Sequence, residues 1–111
     1  MKPNRTFYNE IDKSYNVKEG VVKFNANNTD DHEISKAIVC LEILKNGGNF
    51  CTEVVWKNKS RSDIVDLSDE EPLIIEIVHT EKIDGHKEKQ YPFKIIYLKT
   101  NKIINNWKNT K

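Results

Sequence analysis

The sequence has little of what marks several specialised classes of protein. It contains only two cysteines, Cys40 and Cys51, which argues against a disulfide-rich secreted scaffold. Neither has a cysteine or histidine partner at zinc-finger spacing, and we interpret both as small buried apolar residues. No run is long and apolar enough to span a membrane, and residues 1–13 lack the apolar stretch of a secretory signal. We therefore expect a cytoplasmic protein with no membrane partner.

The sequence also lacks an excess of charge of one sign. Its formal net charge is +1 over 111 residues, so total charge argues neither for nor against binding to nucleic acid, and any such surface must come from local clustering. The length fits one domain with a small core. With 37% hydrophobic and 32% charged residues, we expect a compact core beneath a highly charged surface.

The clearest predicted element is a helix from Asp31 to Asn46. Its apolar residues recur at the i, i+3, i+4, i+7 positions of a helical face, and the apolar arc is wide enough to pack on more than one neighbour. Asp30 or Asp31 is suited to cap its start, with Glu33 completing a capping box. The sequence Asn-Gly-Gly at 46–48 supplies the left-handed residue that favours a helix end.

Three strands are predicted after this helix, then a charged connection, a fourth strand and a terminal helix. The strands are Asn49–Trp56, Ser62–Leu67, Leu73–His79 and Tyr91–Lys99, and the last helix is Asn101–Lys108. Short turns between the first three predict an antiparallel meander, whereas the length of the connection at 80–90 fits a crossover to a parallel partner. Residues 1–30 are interpreted as an N-terminal extension with a short strand at Gly20–Phe24, and 31–111 as the main body of a single domain.

Acidic residues lie within three neighbouring predicted strands. Glu53, Asp63 and Glu76 occupy positions where burial of a carboxylate is costly unless it is paired or bound to a metal. If the second and third strands form a hairpin, opposed positions sum to about 140, which places Asp63 next to Glu76. Hard divalent cations take oxygen ligands of this kind, and water bound to such a cation is a better nucleophile.

Three short motifs carry a resemblance to a known family. HEISK at 32–36 fits an HxxxK helix start, Glu53 precedes Arg61-Ser62-Asp63 by one hairpin, and IEIVHT at 75–80 fits a strand of the form (I/V)ExxxS/T. This series resembles the PD-(D/E)xK nuclease superfamily, in particular the CoiA-like nucleases, and its layout is similar to that of archaeal Holliday-junction resolvases. The resemblance covers about residues 31–81, with the strand at 91–99 as the fourth of the core.

The resemblance implies a fold, an activity and a set of partners. The fold is an α/β, restriction-endonuclease-like αβββαβ core with a mixed central sheet flanked by helices. The activity is that of a metal-dependent DNA nuclease, an endodeoxyribonuclease that uses Mg²⁺ or Mn²⁺ to hydrolyse phosphodiesters. Resolvase-like enzymes act as dimers, and a chain this short needs two copies to cut both strands, so a homodimer is implied by analogy.

The resemblance also implies roles for individual residues. Asp63 and Glu76 match the two motif acids and Glu33 the helix glutamate, but the motif lysine is replaced by Val78, and Lys36 is the best candidate to substitute for it, ahead of Lys57 and Lys82. The predicted catalytic residues are Asp63, Glu76, Lys36 and Glu33. The predicted metal ligands are Asp63, Glu76, Glu33 and Glu53, and the predicted DNA-binding residues are Lys57, Lys59, Arg61 and His32.

Each carboxylate also has a purely structural interpretation. Glu33 could only cap its helix, and Asp63 could cap a turn. Glu53 could lie on the exposed face of an edge strand and pair with Lys57 or Arg61, and Glu76 could form a structural salt bridge. Val78 favours an alternative function, that of a catalytically inactive module that keeps the nuclease-like fold and binds DNA or a protein. A third alternative is an unrelated α/β fold whose carboxylates pair with lysines.

Overall fold

Four strands form one mixed sheet in which their order in space follows their order along the chain, β1-β2-β3-β4. A computed structural model of the chain describes residues 5–79 and 91–110. The elements are α1 (Arg5–Glu10), α2 (Asp30–Lys45), β1 (Phe50–Val55), β2 (Arg61–Asp66), β3 (Leu73–Val78), β4 (Ile95–Lys99) and α3 (Thr100–Asn109). Strands β1, β2 and β3 pair antiparallel, and β4 pairs parallel with β3.

This architecture confirms the predicted α/β class, the mixed sheet and the flanking helices. The antiparallel meander and the parallel fourth strand are both present, as the lengths of the connections predicted. The connection at 80–90 itself, with Lys82, lies outside the described residues. Among the residues that are described, no helix has the length and apolar character needed to cross a membrane.

The two ends of α2 follow local rules, with one difference from the predicted cap. Thr29, and not Asp30 or Asp31, is the N-cap, because its side-chain oxygen accepts the His32 N–H at 3.2 Å. Threonine and aspartate are both good N-caps, so the sequence alone could not separate them. At the other end Gly47 has a φ of 80°, and the N–H of Gly48 donates to the Ile43 carbonyl at 2.9 Å, which is the predicted left-handed ending.

Both faces of the sheet are covered, each by a different part of the chain. One face packs against α2 through Phe50, Ile64, Ile75 and Ile77, which contact Cys40 and Ile43. The other packs against the N-terminal segment through a cluster consisting of Phe7, Ile11, Cys51, Val54, Trp56, Val65, Leu67 and Ile74. Both cysteines are buried and free, as predicted, and burial raises the pKa of each thiol to about 12.

Residues 5–30 are therefore part of the fold, and their structure differs from the prediction. Helix α1 was not predicted, and its Phe7 is fully buried, with its ring centroid 5.7 Å from that of Trp56. No strand forms at 20–24. Instead, Thr52 of β1 bridges to this segment through its hydroxyl, which accepts the Lys23 N–H and donates to the Val21 carbonyl, both at 2.9 Å.

Replacement of Phe7 tests whether the N-terminal segment is needed for folding. We expect Phe7→Ala to lower the free energy of unfolding by about 3–4 kcal/mol, because a wholly buried ring leaves a cavity against Trp56. Tyr15, an aromatic residue that is 44% exposed, is the control, and Tyr15→Ala should cost less than about 1 kcal/mol. Urea denaturation measures the free energy of unfolding of both variants. If Phe7→Ala costs as little as Tyr15→Ala, α1 is a dispensable extension.

Candidate functional site

The candidate site lies where the first half of α2 meets the sheet. Six of the predicted site residues are joined there in one network of contacts, as four segments of the chain converge. They are His32, Glu33 and Lys36 on α2, Glu53 on β1, Asp63 on β2 and Glu76 on β3. With four carboxylates and two basic groups, the network has an excess of negative charge when both bases are protonated.

The ammonium group of Lys36 holds one half of the network. The side chain is fully buried, and its Nζ lies 2.9 Å from Glu33 Oε1, 3.1 Å from Glu53 Oε2 and 3.0 Å from the Lys23 carbonyl oxygen. An ammonium group has three donors, so each has an acceptor. Burial of a charge is tolerated when it is paired and hydrogen-bonded in this way.

Glu33 is held in its ionised form by this arrangement. Burial alone would raise its pKa, but hydrogen bonds from Lys36, the Asn25 N–H and His32 lower it to about 2. A further bond comes from Asn28 Nδ2 at 3.3 Å. Glu33 thus binds these groups, while Thr29 caps the helix. Asn25 and Asn28 are site residues that the sequence analysis missed.

Glu53 reaches Lys36 because the backbone of β1 is distorted. Its φ of 51° lies in the left-handed region, which is unfavourable for a residue with a side chain. The β1–β2 ladder pairs Thr52 with Ile64 and Val54 with Ser62 and omits the position between them. As a result Cys51 and Val54, three residues apart, pack in the same cluster, and the strand does not keep the alternation of an undistorted strand.

Asp63 and Glu76 lie where β2 and β3 separate. The ladder between these strands ends at the pair Ile64–Ile75, so opposed positions sum to 139, close to the predicted register. Beyond that pair, backbone N–H groups donate to carboxylate side chains instead of to carbonyl groups of the opposite strand. The Asp63 N–H donates to Glu76 Oε1 at 2.9 Å, and the Ile77 N–H donates to Asp63 Oδ2 at 2.8 Å. The two acids are therefore adjacent, and the backbone fixes their orientation.

His32 connects the two halves of the network. Its Nδ1 lies 2.7 Å from Glu33 Oε2 and its Nε2 3.3 Å from Asp63 Oδ2. The hydrogen bond to Asp63 makes the largest contribution to raising the pKa of His32 to about 9, with Glu33 acting in the same direction and burial opposing. At neutral pH the ring is therefore protonated and donates to both carboxylates.

Tyr91 is a second residue that the sequence analysis did not identify. Its hydroxyl lies 3.3 Å from Glu76 Oε2 and 3.0 Å from the Arg61 carbonyl oxygen. Burial and the neighbouring Glu76 raise the pKa of Tyr91, so the hydroxyl stays protonated and can donate. Tyr91 was predicted only as the start of a strand, and nothing local to it indicated contact with Glu76.

The predicted DNA-binding residues divide between the network and the β1–β2 hairpin. His32 lies in the network, whereas Lys57, Lys59 and Arg61 are exposed on the hairpin. Lys59 forms an ion pair with Asp12, and the Arg61 guanidinium lies 5.7 Å from the centre of the Tyr15 ring. Arg61 approaches the network through its carbonyl, which contacts Tyr91.

Comparison of the chain with protein-family models, with curated proteins and with solved structures finds no match. The resemblance to the PD-(D/E)xK superfamily thus rests on the short motifs of the sequence.

A metal cage is not found in the part of the chain that the structure describes. Within residues 5–79 and 91–110, no group of three or more histidine, cysteine, aspartate and glutamate side chains is arranged to hold one ion. Of the four predicted ligands, Glu33 and Glu53 are bound by Lys36, and Asp63 and Glu76 form a separate adjacent pair. Mg²⁺ commonly binds through one or two carboxylates, waters and substrate phosphates rather than a protein cage, so the donor type and number of this pair are compatible with Mg²⁺.

The contacts of Lys36 predict a large effect of its removal on stability. Lys36→Met keeps the apolar stem but removes the ammonium shared by Glu33 and Glu53, so that Glu53 loses its cation and Glu33 keeps only His32. We expect a loss of about 2–4 kcal/mol in the free energy of unfolding. Lys36→Met combined with Glu53→Gln should recover part of that loss, because one unpaired charge is removed with the amine. Chemical denaturation measures both variants, and additive losses would argue against direct pairing.

The contacts of His32 predict a pH-dependent contribution to stability. Because folding raises the pKa of His32 from its usual 6.5 to about 9, its contribution is fully present below pH 6.5 and is lost as the pH rises through 9. Between pH 6.5 and 9 the free energy of unfolding of His32→Gln should therefore fall by about 1–2 kcal/mol less than that of wild type, after allowance for solvent screening. Unfolding curves at several pH values compare the variant with wild type, and parallel pH profiles would contradict the assignment.

Proposed function

We propose that this chain is a metal-dependent DNA nuclease that hydrolyses phosphodiesters at the Asp63–Glu76 pair. The observation that carries the proposal is the adjacency of these two acids at the opening between β2 and β3, with four more of the predicted site residues joined to them in one network. These six residues come from motifs in segments that lie far apart along the chain. Apart from the motifs, nothing in the sequence connects them with one another. The resemblance, the donor type and the mixed sheet support the same function.

In this proposal the chain's own residues bind and orient. Asp63 and Glu76 are the residues that would hold Mg²⁺ or Mn²⁺, and the backbone N–H groups that bind them keep both carboxylates aligned before a substrate arrives. A cation held by these two carboxylates would supply an activated water and would neutralise charge on the phosphate. Glu33 and Glu53 act on this pair indirectly. Both contact Lys36, and Glu33 also contacts His32, which in turn contacts Asp63.

Lys36 takes the place of the missing motif lysine only in part. Val78 is buried in β3 and offers no charge, so positive charge near the acids comes from α2. His32 is the basic group that contacts Asp63, whereas the ammonium of Lys36 is occupied by three acceptors. Lys36 is therefore assigned to positioning Glu33 and Glu53, and contact with a water or phosphate requires it to exchange one acceptor.

DNA is the proposed substrate, and the basic hairpin is its proposed contact surface. Lys57 and Lys59 lie in the turn between β1 and β2, and Arg61 is the first residue of β2, which also carries Asp63. Basic side chains of this kind bind phosphates without reading sequence. The Lys59 side chain is 71% exposed in its ion pair with Asp12. Ion pairs of exposed lysines are weak, so Lys59 can exchange Asp12 for a phosphate.

A second candidate function is supported by the saturation of Lys36. A buried ammonium whose three donors all have protein acceptors is what a purely structural cation requires. This observation favours a catalytically inactive module that retains the network for stability and binds DNA or a protein through the same surface.

Substitution of the two acids tests the proposal. Asp63→Asn and Glu76→Gln keep the size of each side chain, and each should reduce Mg²⁺- or Mn²⁺-dependent cleavage by about 100-fold or more, equivalent to about 3 kcal/mol of transition-state stabilisation. Glu42→Gln is the matched control, since Glu42 is exposed on α2 and lies outside the network. Cleavage of plasmid and branched DNA gives the rates, and titration with Mn²⁺ gives the affinity for the ion.

Three outcomes separate the candidates. Metal-dependent cleavage that both acid variants lose supports the nuclease. Salt-sensitive DNA binding without cleavage, unchanged by metal, supports the inactive module. If wild type binds neither Mn²⁺ nor DNA, the nuclease and the DNA-binding module are both excluded, and only a module that binds a protein remains.

A further inference from the structure

Helix α2 carries apolar side chains on the side turned away from the sheet as well as on the side that packs against it. Cys40 and Ile43 face the core. On the outer side Ile34, Leu41 and Leu44 are 49%, 39% and 46% exposed. Aliphatic side chains exposed together along one helix are unusual on a monomer and indicate an interaction surface.

The outer residues have the spacing of a coiled-coil seam. Ile34, Ala37, Leu41 and Leu44 follow one another at intervals of three, four and three residues, which is the a/d pattern of a heptad. We call these four residues the outer seam. A groove of about 430 Å³ runs along it and is lined by Phe24 and Trp107 as well as by three of the seam residues.

The charges at the ends of α2 are arranged to match a second copy of the same helix. The first turn is acidic and the last turn carries Lys45. Asp31 and Lys45 are both exposed and lie two heptads apart, so they share one heptad position beside the seam. The Lys45 ammonium lies 5.2 Å from the centre of the Trp107 ring and can exchange this exposed contact for a carboxylate. A helix that runs antiparallel places the acidic end of each copy beside the basic end of the other.

We propose that the outer seam binds a second copy of this chain, with the two α2 helices antiparallel about a two-fold axis. In this register Ile34 opposes Leu44 of the second copy, and Ala37 opposes Leu41, so that a small residue faces a large one. Asp31 then lies beside Lys45 of the second copy. Each contact occurs twice, as a two-fold interface requires.

The symmetry has a consequence for the candidate site. The two-fold axis is perpendicular to the plane that contains both helices, so a given flank of the seam faces the same way in both copies. Glu33 flanks the seam, and the two candidate sites therefore lie on one side of the dimer. This interface does not depend on the proposed nuclease function and can be tested without it.

Sedimentation velocity over a wide range of concentrations tests the interface in the full chain. Wild type should be dimeric, and Leu41→Glu should be monomeric because it places a charge in the middle of the seam. Val21→Glu is the matched control, since Val21 is 42% exposed and lies outside the seam, and this variant should remain dimeric. Circular dichroism verifies that each variant is folded.

A charge exchange tests the antiparallel arrangement itself. Asp31→Lys alone, or Lys45→Asp alone, should raise the Kd of the dimer about tenfold, because two attractive pairs become repulsive. The double exchange should bring the Kd back to within about threefold of wild type, because only the contact of Lys45 with the Trp107 ring is then lost. The two positions lie about 21 Å apart along one helix, so one substitution can compensate for the other only between copies. The exchange also opposes the helix dipole, so a recovered Kd cannot come from a more stable helix.

Three results would overturn the proposal. Wild type could be monomeric at every concentration, which would leave the seam for another partner. The dimer could persist in Leu41→Glu, which would place the interface elsewhere. In the double exchange the losses of dimer affinity caused by the two single substitutions could add, which would exclude the antiparallel pairing.

Discussion

The buried ammonium of Lys36 is the interaction on which the arrangement of the site depends. Isolation of a charge from water costs several kcal/mol unless acceptors replace the water, and the three acceptors come from three segments: Lys23 before α2, Glu33 within it and Glu53 on β1. Each must be in place for burial to be tolerated. The left-handed backbone at Glu53 follows from this requirement, because it allows an acid on an edge strand to reach the helix. The strain at one residue is thus offset by a satisfied charge.

The opening between β2 and β3 shows how a sheet can orient acids without a cage. Backbone groups that leave a ladder still need partners. Here the Glu76 carboxylate accepts the Asp63 N–H, and the Asp63 carboxylate accepts the Ile77 N–H. The same bonds that satisfy the separated strands fix the two carboxylates relative to each other. His32 then connects this pair to Glu33, so a change in the position of α2 affects both halves of the network. The carboxylates therefore have a structural role whether or not the proposed chemistry occurs there.

Local sequence patterns predicted most elements of the fold and did not predict the contacts between them. The apolar period of α2 and the short turns after it are local, and they gave the helix, the meander and the adjacency of Asp63 and Glu76 to within one residue of register. The role of Phe7 could not be predicted, because a six-residue helix has no period of its own and is stabilised by Trp56. The strand expected at 20–24 is absent because Thr52 binds that segment through its side chain. Contacts of Asn25 and Tyr91 with the site are likewise set by the tertiary fold.

Helix α2 is apolar on two sides because it meets two different requirements. Its inner side packs on the sheet, and Lys36, between the core and the loop at 23–25, is fixed by its three acceptors. Its outer side carries Ile34 and Leu41, which contribute little to the core of one chain because they are exposed. A helix that served only the fold would need one apolar stripe. Glu33 and Ile34 are adjacent and line the same groove, so the outer surface and the candidate site meet at the first turns of α2. A partner bound there would hold the helix that positions Glu33 and Lys36, and so couple the interface to the site.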